Sequence, residues 1–406
     1  MFKLARQLLP QQRMLRSSIV RLISTGDDVK IGGLPTELVH EQKLKKTSRT
    51  LSTLQNHTMP IAARVTVSKD ESRDFMAVFP DLVRDLTNVT KAYNCNDAAK
   101  WFAQVLQYNV PRGKKNRGIL TVLTYKNLVD PEHLTPENVK LAQYLGWCVE
   151  MLQSFFIISD DVMDNSETRR GQKCWHKVEN VGLTAINDAL MIENAMYAIL
   201  KQHFSNLECY VPLIELFHEI TYITTCGQSL DLLNSNKRVS EFTMENYKAI
   251  VENKTAYYSF YLPFAIAMHL AGYTDAEAFR QSKTILLEMG HFFQVQDDFL
   301  DCFGNPEVTG KIGTDIQDNK CSWLAVVAMQ RANAEQKQIM IDCYGQSDKS
   351  KVERVKALYK ELSLPSTYAI FEEESYNRIK THIQQTSRIP HQPFLQILNK
   401  IYQRDA

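Results

Sequence analysis

The chain has 406 residues, 44% of them hydrophobic, so it can bury one large core or two ordinary ones. Lysine and arginine number 47 against 46 aspartates and glutamates, and at a net charge of +1 nothing suggests a nucleic-acid partner, for which a basic face would be expected. Only 15 glycines and 13 prolines punctuate the chain, which points to long helices and few tight turns.

The first 25 residues, MFKLARQLLPQQRMLRSSIVRLIST, carry Lys3, Arg6, Arg13, Arg16 and Arg21 and no acid. That is the composition of a mitochondrial transit peptide; the alternatives are a basic tail with no address and a cytoplasmic protein. Residues 26–67 lack clear periodicity and read as linker or remaining presequence. From residue 68 to 406 apolar residues recur at three- and four-residue intervals, notably over 139–164, 210–233, 244–270 and 281–301. Alternation with period two is nearly absent, so one all-α domain is expected, with a kink at Pro263. The eight cysteines form no C-x-x-C pair and read as reduced thiols. No apolar run reaches the ~18 residues of a membrane span; the richest, 141–159, is interrupted by Gln143, Glu150 and Gln153.

The stretch FFIISDDVMDNSETRRGQ (155–172) runs from apolar residues straight into charge. Asp160 and Asp164 stand four residues apart, hence on one helical face, with Phe156 and Gln153 behind them. A second copy, FFQVQDDFLD (292–301), sets Asp297 and Asp301 in the same relation after Gln294. A lone DDxxD is usually a solvated helix end, whereas two with identical aromatic preludes point to a shared task. Carboxylates crowded on an apolar wall repel one another and call for counter-charge. Oxygen ligands without histidine or thiolate suit Mg²⁺, which typically bridges carboxylates to substrate phosphates.

A diphosphate also needs cations. Arg169 and Arg170 follow the first motif in what reads as a helix end or loop, and arginine's planar fork suits phosphate oxygens. RGKKNRG (112–118) supplies Lys114 and Arg117, and TGKIGTDIQDNK (309–320) supplies Lys311 and Lys320. GNPEVTGKI (304–312) is not a P-loop, because five residues separate its first glycine from GK and Ile312 follows. In TYITTCGQSLDLL, Thr224, Gln228 and Asp231 share one helical stripe, and in VENKTAYYSFYLP, Lys254 and Thr255 precede an aromatic run. The ten histidines show no ligand spacing; His291 reads as a packing residue.

GKKNRG, LQSFFIISDDVMDNSETRRGQ, GQSLDLL, NKTAYYSFYLP, FFQVQDDFLD and TGKIGTDIQDNKCSW occur in order over residues 113–323, and in them the chain resembles the trans-isoprenyl diphosphate synthases. The resemblance implies a single-domain antiparallel bundle of ten or more helices around a deep central cavity, usually homodimeric. It implies head-to-tail condensation of isopentenyl diphosphate with dimethylallyl and then geranyl diphosphate, with three Mg²⁺ ions per site. By position, Asp160, Asp164 and Asp297 would hold the metal, and Asp161, Asp298 and Asp301 would act through water or from behind. Arg169, Lys254, Lys311 and Lys320 would hold the allylic diphosphate; Lys114, Arg117, Gln153 and Arg170 would hold isopentenyl diphosphate. Thr255, Gln294 and the Lys254 carbonyl would face the allylic carbocation, and Phe155 and Phe156 would limit the product to fifteen carbons. A C10 product, branched substrates, a terpene cyclase, and a silent partner subunit or lipid-binding scaffold are the competing readings. Arg112, Lys115, Ser159 and the ending IYQRDA depart from the family's usual pattern.

Overall fold

The computed structural model describes residues 69–309 and 313–402. The expected presequence and linker (1–67), Lys311 and the chain end Arg404–Ala406 lie outside those residues.

The expected all-α architecture is present. Helices α1 (Lys69–Ala77), α2 (Phe79–Ala92), α3 (Asn96–Asn109) and α4 (Asn116–Leu128) lead to the long α5 (Pro136–Met163). A two-residue hairpin, β1 (Thr168–Arg169) and β2 (Gln172–Lys173), separates α5 from α6 (Ala185–Phe204) and α7 (Tyr210–Ser235). The next rod runs through α8 (Met244–Ile250), a π-helical segment (Val251–Tyr261) and α9 (Leu262–Leu270). Then come α10 (Ala276–Phe303), the single turn α11 (Pro306–Thr309), α12 (Trp323–Arg331), α13 (Ala334–Cys343), α14 (Lys349–Glu361), α15 (Leu364–Gln385) and α16 (His391–Ile401).

The periodicity located the long helices to within a few residues but could not see the π-helix, since both helix types place apolar residues on one face. The wide spacing runs through Leu262, whose N–H reaches the Tyr257 carbonyl five residues back. It stops at Pro263, which has no N–H to give; the proline changes the type of helix rather than ending it.

Helix α5 is the central post. It is long and apolar enough to cross a membrane by length and composition, yet 72% of that apolar window is buried against other helices. Thr135 caps its start by accepting from the Asn138 N–H. Trp147, fully buried, stacks on Phe75 at 4.5 Å, and each such aromatic contributes about 1.5–3 kcal/mol by leaving water. Two cores result. The larger involves α1 to α7, α9, the first half of α10 and α16, and the smaller gathers Val239–Val251, Trp323–Ala328 and α14. Helix α10 crosses from one to the other, with Phe292 in the larger and Val295 in the smaller. The second acidic motif stands just past that crossing.

Helices α4 and α5 touch through a glycine pair. A methyl group on Gly146 would lie 2.5 Å from the Gly118 carbonyl oxygen and 2.8 Å from the Phe75 ring. This approach sets Arg117 beside the polar turn of α5 that carries Glu150 and Gln153. Gly146→Ala should therefore cost roughly 1–3 kcal/mol by overpacking, read as a lower denaturant midpoint; an unchanged midpoint would show that the helices can part freely.

Candidate active site

The first motif ends α5, with Asp164 as its C-cap. Helical geometry sends its carboxylates in two directions. Asp161 is 2% exposed and turns inward, while the Asp160 and Asp164 side chains keep about a quarter of their surface accessible, at 25% and 22%. Three cations gather here from distant parts of the chain. Arg169 donates through Nε and NH2 to Asp161 Oδ1 at 2.9 and 2.6 Å and lies 3.7 Å from Asp160. Lys254 reaches Asp160 at 3.3 Å and Asp231 at 2.7 Å. Lys320 reaches Asp164 at 3.3 Å and the same Asp231 oxygen at 3.0 Å. Gln228 donates to Asp160 at 3.0 Å, so its helical stripe does face this site. Thr255 is half-buried on the π-helical segment beside Lys254.

Asp231 is the residue that motif reading noted on a stripe but gave no role. Its burial would raise its pKa, yet Lys254 and Lys320 outweigh that and hold the carboxyl below its ordinary range. Burial likewise opposes the charge on each lysine, and their aspartate partners outweigh it and raise both. Burial and the adjacent Asp160 push the Asp164 carboxyl up, against Lys320 and Lys254.

The second motif meets the first through the segment that follows it. Lys320 touches Asp164, while the Asp315 N–H donates to Asp301 at 3.1 Å and the Trp323 N–H to Asp298 at 2.8 Å. One short segment therefore binds both acidic motifs. Asp298 is buried and also accepts from Gln294 at 2.9 Å; burial pushes its carboxyl up to about 7. Asp297 and Asp301 are half-buried. Among the described residues no three His, Cys, Asp or Glu side chains converge closely enough to hold a metal unaided. Each motif offers an oxygen wall, and the arrangement suits an ion completed by a ligand's own oxygens.

A second cationic group lies around α4. Arg117 donates to Ser259 Oγ at 2.7 and 3.0 Å and to the Tyr258 hydroxyl at 3.2 Å, and its guanidinium lies 4.8 Å from that ring's centre. Gln153, with its amide oriented to suit both neighbours, accepts from Arg117 at 2.8 Å and donates to Glu150 at 3.3 Å. Glu150 looked in sequence like a break in an apolar run. It is buried, accepts from the Gly118 N–H at 2.8 Å, and has its pKa raised by burial against Arg117, Arg170 and Lys115. Lys115, in left-handed backbone at φ 50°, donates to the Gly113 and Pro111 carbonyls and so shapes the loop that presents Lys114, which is exposed.

Adjacent Arg169 and Arg170 part company at the hairpin. Arg170 and Gly171 take φ of 54° and 74°, the positive pair of a type I′ turn closed by Arg169 and Gln172. Arg169 thereby joins the first motif, while Arg170 turns to the Arg112 carbonyl and the α4 group. Phe156 packs edge-on against Tyr258 at 5.4 Å and tilted against Phe155 at 5.1 Å, one turn before Asp160 on α5.

The π-helical segment lies closely between two helices. A methyl on Gly227 would fall 2.2 Å from the Lys254 nitrogen, and one on Gly290 would fall 2.3 Å from the Ala256 Cβ. Backbone, not side-chain length, therefore sets where Lys254 starts.

Asp231→Asn should lower stability near neutral pH by less than the ~3–5 kcal/mol of a fully buried broken pair, because Asp160 and Asp164 remain. Asp231 has a depressed folded pKa, so its contribution is present above the ordinary aspartate value of about 4 and disappears as pH falls through the folded value. The melting temperatures of wild type and variant should accordingly begin to converge as pH falls below about 4 and meet once it is below the depressed folded value of Asp231. A gap that persists there would show that Asp231 does not act through its charge.

A family profile described as polyprenyl synthetase matches residues 99–362. The chain is 50% identical over 340 residues to the farnesyl pyrophosphate synthase of Murgantia histrionica, covering 84% of each chain. It is 47% identical over 343 residues to that of Gallus gallus, covering 83% of this chain and 94% of the other. Among solved structures, T. brucei farnesyl diphosphate synthase complexed with the bisphosphonate BPH-721 aligns with a TM-score of 0.78 at 29% identity, over 82% of this chain and 99% of that one. The chain belongs to the polyprenyl synthetase family.

Proposed function

We propose that this prenyltransferase is a Mg²⁺-dependent farnesyl diphosphate synthase, joining isopentenyl diphosphate head to tail to dimethylallyl and then geranyl diphosphate. The observation that carries the reading is the meeting of both acidic motifs on the segment from Asp315 to Trp323, beside Lys254 and Arg169. Around the first motif, four carboxylates (Asp160, Asp161, Asp164 and Asp231) face three cations (Arg169, Lys254 and Lys320). A polyanionic diphosphate is repelled by that excess until divalent cations offset it, which is the electrostatic reason for metal dependence.

Asp160, Asp164 and Asp297 would hold the magnesium, which neutralises charge on the departing diphosphate. Arg169, Lys254 and Lys320 turn to phosphate oxygens in place of Asp160 and Asp164, while Asp161 and Asp231 keep hold of them from behind; Lys311 belongs to the same set by sequence. Arg117, Arg170, Gln153 and Lys114 orient isopentenyl diphosphate. The allylic C–O bond breaks with its electron pair on oxygen. The Thr255 hydroxyl, the Gln294 amide and the Lys254 carbonyl stabilise the carbocation by fixed dipoles. The isopentenyl double bond then attacks, and the released diphosphate takes the proton that restores a double bond, so no side-chain base is required.

Phe156, one helical turn or about 6 Å below Asp160, closes the space for the growing tail. Labelled isopentenyl diphosphate with geranyl diphosphate and Mg²⁺ should give a C15 product, abolished by chelator. Phe156→Ala should shift products beyond C15. No condensation at all would reject the proposed activity, and an unchanged C15 product from the variant would reject the role of Phe156 alone.

A homodimer is part of the same proposal. Helices α6 and α7 abut through the stacked Tyr197 and His218 and expose Ile186, Leu190, Val211, Tyr222 and Leu233 on their outer faces, a row suited to a second copy. Sedimentation should report a dimer that Leu190→Glu with Tyr222→Glu converts to monomer; a monomeric wild type would contradict it.

A further inference from the structure

A primary amide is ambivalent. Its oxygen carries negative partial charge and its nitrogen positive, and a rotation by half a turn exchanges them. An amide that faces a developing carbocation helps only if its oxygen faces it. The side chain itself cannot choose, so something else must.

Gln294 stands one turn before Asp297 on α10. Its Nε2 donates to Asp298 Oδ1 at 2.9 Å, and among the described residues none donates to its Oε1. The other Asp298 oxygen accepts the Trp323 N–H at 2.8 Å. That N–H belongs to the first turn of α12, whose cap Ser322 accepts from the Ala325 N–H. Asp298 is 5% exposed and cannot swing away. Both of these neighbours are donors: Oδ1 accepts from the amide, and Oδ2 is occupied by the Trp323 N–H. A Gln294 rotated by half a turn would set oxygen against oxygen.

We propose that Asp298 is a positioning residue, rather than a metal ligand, that fixes the Gln294 amide with its nitrogen inward so that its oxygen faces the allylic cation. The inference rests on the proposed condensation and on the placing of Gln294 beside the allylic carbon. It also gives the two central aspartates parallel tasks, since Asp161 holds Arg169 from behind as Asp298 holds Gln294.

The test uses the full-length chain with geranyl and isopentenyl diphosphates. Asp298→Asn keeps the shape and keeps an acceptor for the Trp323 N–H, but offers Gln294 an NH₂ group that favours the reversed amide. The single-turnover rate should fall on the order of 10²-fold, the usual loss when one preorganised dipole is removed. KM for both substrates, the Mg²⁺ concentration at half-saturation and the melting temperature should change little. Gln294→Leu should lose a similar factor, and combining it with Asp298→Asn should add little, because both remove one device.

The exchanged pair Gln294→Glu with Asp298→Asn separates orientation from structure. There the asparagine NH₂ donates to one carboxylate oxygen and leaves the other facing the cation. The rate should recover at least tenfold over Asp298→Asn, and this arm remains readable even if the single variant folds poorly. Full activity of Asp298→Asn, strict additivity with Gln294→Leu, no recovery in the exchanged pair, or a rise in the Mg²⁺ requirement would each overturn the proposal. A wild-type chain that condenses while Gln294→Leu is unimpaired would refute the placing of Gln294. A wild-type chain that fails to condense would refute the activity instead.

Discussion

The carboxylate of Asp231 carries two ammonium groups at once. Lys254 and Lys320 come from segments 66 residues apart and would repel each other at the distance their shared partner imposes. Buried and held below its ordinary pKa, Asp231 lets both stay charged and stationary beneath the first acidic motif. The site thus has its positive groups in place before any phosphate arrives, which is the property that electrostatic catalysis depends on. A lysine that had to gather itself from solvent would lose much of that benefit in reorganisation. The acidic motifs are the visible signature, but this hidden acid makes the cations beside them possible.

Much of this was legible in the sequence, and the limits have physical causes. Spacing of four residues on a helix brings Asp160 and Asp164 to one face whatever the rest of the fold does, and the repeat at Asp297 and Asp301 obeys the same rule. The lone polar stripe of Thr224, Gln228 and Asp231 was visible, but not that its last member would be shared by two lysines. That depends on a rod and a loop meeting in three dimensions. Glu150 was misleading for a related reason. In an apolar run a single acid reads as an interruption, and only the arrival of Arg117 and Arg170 from elsewhere makes it a centre of charge. The π-helix was invisible because hydrophobic periodicity records which face is wet, not which carbonyl each N–H chooses.

The fold places its chemistry at junctions. Helix α10 leaves the larger core and enters the smaller one just before the second motif, so that motif stands where two packed bodies join. Gly227 and Gly290 bring α7 and α10 against the backbone of the π-helical rod, leaving the start of the Lys254 side chain no lateral freedom. The Gly118–Gly146 contact does the same for α4 on α5. At each place close backbone approach replaces side-chain packing, which is stiffer and tolerates less change.

The hairpin after α5 has one further implication. Because its turn is only two residues long, Arg169 turns to the first acidic motif and Arg170 to the Arg112 carbonyl and the α4 group, yet they hang from neighbouring peptide units. Their spacing behaves like the jaws of a caliper, fixed by covalent geometry rather than by the softer packing of helices. Two reactants gripped by their diphosphates at those jaws would present their carbons at a separation that thermal motion of the bundle barely alters. Much of the entropic cost of bringing them together would then be met during folding, when that small turn closes.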